Sequence, residues 1–81
     1  MKFNDIQVAL RNCGVPDDLY SLTGGLPNEA LCLEQLSDSK WRTYYSERGQ
    51  RSGEKHFHSE EEACDFFFQT LVKEFGVGGL Q

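Results

Sequence analysis

Residues 41–58 read WRTYYSERGQRSGEKHFH. The run from Trp41 to Glu47 is the strongest strand signal in the chain, dense in aromatic and β-preferring side chains. Strand alternation puts Trp41, Thr43 and Tyr45 on one face and Arg42, Tyr44 and Ser46 on the other. RGQRSG is a glycine-containing turn, and EKHFH returns as a short strand over about 54–58, with Phe57 pointing opposite to His56 and His58. Upstream, EALCLEQL reads as a strand over about 29–36. Ala30, Cys32 and Glu34 share one face and Leu31 and Leu33 the other, and SDSK turns the chain into the next strand at 41–47. Three sequential strands with short turns make an antiparallel meander, and one face of so small a sheet must be covered.

The cover comes from the two ends. Residues 4–13 suit a helix: Asn4 or Asp5 caps it, Phe3 precedes the cap as a staple, and Ile6, Ala9, Leu10 and Cys13 form an apolar stripe. Gly14 stops it, and Pro16 opens a second short helix over 16–22 with two acids in its first turn. TGGLPN is a loop whose glycines supply positive φ. After the hairpin, SEEEACDFFFQTLVKEFG reads as a helix over 60–75, with Ser59 and Glu62 in a capping box. Ala63, Phe67, Leu71 and Phe75 recur at helical spacing, one ring of the Phe66–Phe68 triplet falls at the edge, and Gly76 ends the helix before a frayed tail at 76–81. The fold class is therefore α+β: one domain spanning 1–81, with a three-stranded antiparallel meander covered on one face by an N-terminal and a C-terminal helix.

Thirteen acidic and eight basic residues give a net charge of −5, which argues against binding nucleic acid through its phosphates. Five of the eight basic residues nevertheless lie between Lys40 and Lys55, on the hairpin. Three cysteines, an odd number without a CxxC pair, read as reduced and core-forming, and the N-terminus carries no signal-peptide pattern. The compartment expected is the cytoplasm.

No catalytic constellation emerges, and no enzyme is expected. His56 and His58 place two imidazoles on one strand face, but a zinc site needs three or four ligands in fixed geometry, so neither metal nor cofactor is expected. A general base at His56 beside Glu47, Arg48 and Arg51 lacks a concave setting on a small sheet. Cys64 sits near a helix start that lowers thiol pKa, but three glutamates precede it and oppose that effect. Thr23–Gly25 lacks the continuation of a phosphate loop. Arg42, Tyr44, Glu47, Arg48 and Arg51 remain: a mixed-sign, Arg- and Tyr-containing surface of the kind that dominates protein–protein hot spots. The competing reading is a nucleic-acid-associated or regulatory module that uses the basic hairpin directly. A metal-dependent enzyme at His56 and His58 is a third.

The segments LPNEALCLEQL, WRTYYSERGQRSGEKHF and SEEEACDFFFQTL together resemble a group of short bacterial proteins with a WxxYYSERG core followed by an acidic helix start ending in Ala-Cys. Trp41, Tyr44, Tyr45, Ser46, Glu47, Arg48 and Gly49 carry the likeness, with Phe57, Glu60, Ala63 and Cys64. The group is similar to immunity proteins of polymorphic toxins. The resemblance implies a small non-catalytic inhibitor that binds a basic protein partner, a toxin domain, without nucleic acid or membrane. The binding residues expected from the hairpin are Arg42, Tyr44, Glu47, Arg48 and Arg51.

Overall fold

In the computed structural model, which describes residues 1–75, helix α1 (Phe3–Asn12) is followed by a 3₁₀ turn (Asp17–Leu19) and strands β1 (Tyr20–Ser21), β2 (Ala30–Ser37), β3 (Lys40–Glu47) and β4 (Gln50–Phe57). Helix α2 (Glu60–Phe75) completes the order. The expected Gly76 stop and the 76–81 tail lie outside the described residues, as does the side chain of Phe75.

The class is α+β with helices flanking a sheet, but the sheet is not the expected three-stranded meander. Among the described residues it has four strands in the order β1-β2-β3-β4, and β1 runs parallel to β2 while the other pairs are antiparallel. The extra strand occupies the segment read as a helix over 16–22. Helical geometry ends at Leu19, because Tyr20 is fully extended (φ −148°, ψ +162°) and pairs with Leu31. A two-residue strand is too short to leave any periodicity in a sequence. It also brings Gly24 and Gly25 across the sheet, because residues 22–29 are the connection between the parallel strands.

The hairpin is tighter than expected. β4 begins at Gln50, so the turn is the two residues Arg48 (φ +53°) and Gly49 (φ +77°), the geometry that matches strand twist. Pairing then shifts between Thr43 and Tyr45: Tyr45 faces Ser52 but Thr43 faces Lys55. The extra residue is absorbed at Gly53 (φ +60°), a β-bulge whose glycine takes the left-handed conformation.

The core lies between the sheet's inner face and the helices. Ile6, Leu10, Leu33, Trp41, Phe67 and Leu71 are buried in one cluster. Phe3 packs on Trp41 with ring centroids 5.6 Å apart, and Tyr20 meets Phe67 edge-on at 6.2 Å. Phe66 sits at the margin against Phe57 at 5.5 Å. Helix α2 is capped by Ser59, whose Oγ accepts the Glu62 N–H at 3.1 Å.

Helix α1 is not capped by Asn4 or Asp5. Its N-cap is Lys2, Phe3 lies inside the helix, and the Phe3 N–H donates to Glu60 Oε2 at 2.6 Å. The first turn of α2 therefore supplies the cap for α1 across the helix pair. At the other end Gly14 (φ +81°) donates to the Arg11 carbonyl and Val15 to that of Leu10, the double-bonded glycine stop. Cys32 and Cys64 are buried, Cys13 is half-buried, and all three are free thiols.

Candidate functional site

The hairpin's outer face, turned away from the helices, is a layered polar stack. Its floor is Tyr44, which has no exposed surface although no helix covers it. The 22–29 connection does that instead: the Tyr44 hydroxyl donates to the Gly25 carbonyl at 2.6 Å. Gly24 packs so closely on Glu34 that a Cβ there would lie 2.8 Å from Oε2. The Tyr44 hydroxyl is a donor through the neutral range, and burial raises its pKa further.

Two guanidinium groups lie over the Tyr44 ring, those of Arg42 and Arg51, each 5.1 Å from the centroid. Their electrostatic settings differ. Two nitrogens of Arg42 converge on Glu34 Oε1, at 2.7 Å from Nε and 2.6 Å from Nη2, and Nη1 reaches Glu54 Oε2 at 3.1 Å. Glu34 foremost holds Arg42 above its ordinary pKa, and the Arg42 hydrogen bond in turn pulls Glu54 below the usual carboxylate range. Glu54 Oε2 also meets His56 Nε2 at 2.9 Å. Arg42 is neutralised from both sides, whereas Arg51 forms no ion pair among the described residues.

The bulge is what assembles this stack. Arg51 and Glu54 are three residues apart and would point to opposite faces of a regular strand. The extra residue at Gly53 resets the alternation, so Arg51 faces Ser46, His56 faces Arg42, and both share the outer face with Tyr44.

Of the five expected binding residues, the structure brings Arg42, Tyr44 and Arg51 into contact and leaves Glu47 and Arg48 exposed at the turn. Tyr44 and Arg42 form the inner part of this surface, while Arg51, Arg48 and Glu47 present its outside. The sequence reading missed the parts of Glu34, Glu54 and the Gly24–Gly25 connection, because they depend on the bulge and on β1. Neither His56 nor His58 belongs to a group of three or more His, Cys, Asp or Glu side chains placed to share an ion among the described residues. Ser46 Oγ, on the same face, is buried without a hydrogen-bond partner among the described residues.

At the turn end of the sheet, a cavity of about 350 Å³ opens on the inner side. Leu31, Tyr45 and Leu71 form its walls, Glu29 and Glu74 stand at it, and Leu19 and Thr70 complete it. Glu29 is expected in a strand but precedes β2 and takes a left-handed conformation, φ +55°. No helix among the described residues is long and apolar enough to cross a membrane. Comparison with protein-family models, with curated proteins and with solved structures returns no match.

Proposed function

We propose that the chain is a non-catalytic binding protein: an immunity protein that neutralises a cognate bacterial toxin domain in the cytoplasm. The observation that carries this reading is Arg51. Its guanidinium rests on a buried aromatic ring, faces outward and has no carboxylate partner among the described residues. A cation held in one orientation loses little freedom on binding, which is how a small surface reaches useful affinity. Arg48 and Glu47 flank it at an exposed turn, giving both charge signs for partner selection.

The charge distribution supports a basic partner. Residues 29–58 carry five acidic and five basic side chains, so the net charge of −5 lies elsewhere. Residues 59–75 alone hold Glu60, Glu61, Glu62, Asp65 and Glu74 against Lys73. A basic toxin cleft approaching the molecule is drawn in by the helical layer and engaged by the hairpin. The WxxYYSERG resemblance supplies the toxin-inhibitor class.

Co-expression with the toxin domain encoded beside it tests the reading. The wild-type chain should restore growth to host cells producing that toxin, and an Arg48→Ala/Arg51→Ala variant that stays folded should not. No protection by the wild type would refute the immunity reading.

A further inference from the structure

The structure has two non-glycine residues with positive φ among those described, Glu29 at +55° and Arg48 at +53°. Both lie at one end of the sheet. Ala30 pairs with Ser46, so Glu29 stands one step beyond that pair, where Glu47 and the turn begin. Left-handed backbone is unfavourable for a residue with a Cβ, and such strain gathers at functional sites. Glycine or asparagine would relieve it at either position.

Glu29 reaches the cavity under Tyr45. The cavity's size falls within the range of about 300–1,000 Å³ usual for binding pockets. Leu31, Leu71 and the Tyr45 ring give it apolar and aromatic walls, and among the described residues its charged lining groups are Glu29 and Glu74. Neither carboxylate forms an ion pair among the described residues. Glu74 belongs to the last turn of α2, where the negative end of the helix dipole adds to the field. Tyr45 is 36% exposed, so its ring forms an open wall. Its hydroxyl, a donor at neutral pH, has its pKa raised by desolvation first and then by Glu29 and Glu47. An alkyl stem with a planar cation at its tip matches this lining in each part. The stem lies along leucine, the guanidinium plane faces tyrosine, and its forked donors meet two carboxylates.

We propose that this cavity is a receptor for an arginine side chain of the protein partner. The inference rests on the reading of the hairpin as a docking surface and extends it: Arg48 and Arg51 meet the partner at the turn end of the outer face, while its arginine enters the cavity on the inner side of the same end.

The test does not need the partner. N-acetyl-arginine methylamide is titrated into the ¹⁵N-labelled protein, with the isosteric, uncharged N-acetyl-citrulline methylamide as control. Saturable shifts are expected at the amides of Leu31, Tyr45, Thr70 and Leu71, with the citrulline compound at least tenfold weaker. Glu29→Gln/Glu74→Gln should weaken arginine binding at least tenfold without lowering the melting temperature. Glu29→Gly should abolish the gain from that carboxylate while keeping or raising the melting temperature, because it relieves the backbone. Equal affinity for citrulline, undiminished binding by the double variant, or shifts centred on Glu60–Asp65 would each overturn the cavity assignment. Failure here together with loss of protection in Arg48→Ala/Arg51→Ala would remove the arginine receptor and leave the docking surface in place. A double Arg variant that still protects would remove the surface itself.

Discussion

Tyr44 shows how much one side chain decides on this sheet. Alternation alone assigns it to the face opposite Trp41, and that assignment holds. Its complete burial could not be read locally, because what covers it is a loop 19 residues away, joined by the hydroxyl bond to Gly25. Tyr44→Phe leaves that carbonyl without its side-chain donor and should destabilise by about 1–2 kcal/mol in chemical denaturation. Its effect on partner affinity should follow only from loosening of Arg51. An unchanged midpoint would show that the loop does not depend on the hydroxyl. Cys64 gives a second prediction at this scale. Burial, then Glu60, pushes its thiol up to about 11 from an ordinary 9.0. The neutral thiol is thus favoured in the folded state, so its contribution is complete below about pH 9 and is lost as pH rises towards about 11. Between pH 8 and 10, before the raised tyrosines titrate, the Cys64→Ala variant should lose less stability with pH than the wild type. Parallel curves would contradict the burial of that thiol.

At the scale of elements, strong local signals were legible and weak ones were not. Ser59, the acidic first turn and the Phe67–Leu71 spacing placed α2, and the inner-face stripe of α1 appears in Ile6 and Leu10. The N-terminal cap was misread because its donor, Phe3, is satisfied by Glu60 from the other helix, a partner 57 residues distant. β1 was misread because two residues carry no period, and its register comes from pairing with Leu31 and Cys32. The β4 bulge was hidden for a related reason: RGQRSG looked like turn, when its second glycine resets a strand that already begins at Gln50. Gly53→Ala tests the bulge directly. Among the described residues no atom beyond its chain neighbours lies within 4 Å of the added Cβ, so the cost is backbone strain, about 1–2 kcal/mol. The Arg51 and His56 resonances should move together, since both owe their face to that residue. A neutral substitution with unchanged spectra would mean the strand runs without the bulge.

Taken whole, the molecule separates its charges by layer. The strands and their turns balance, while the second helix carries the acidic excess and uses part of it internally, through Glu60 on α1 and Asp65 on the Met1 ammonium at 3.2 Å. The candidate surface was half legible. The hairpin's Arg and Tyr content pointed to the strands that carry the Arg–Tyr stack, but the contrast between a neutralised Arg42 and an Arg51 without an ion pair among the described residues depends on the loop, the bulge and the acids Glu34 and Glu54. The central claim is that the turn end of the outer face binds a protein partner. The direct measurement is calorimetric titration of the cognate toxin domain with wild type and with Arg48→Ala/Arg51→Ala, after circular dichroism has shown both to be folded. The account predicts a loss of at least about 2 kcal/mol of binding free energy in the variant, the level that marks a hot spot. A folded variant that binds as tightly as the wild type would contradict it.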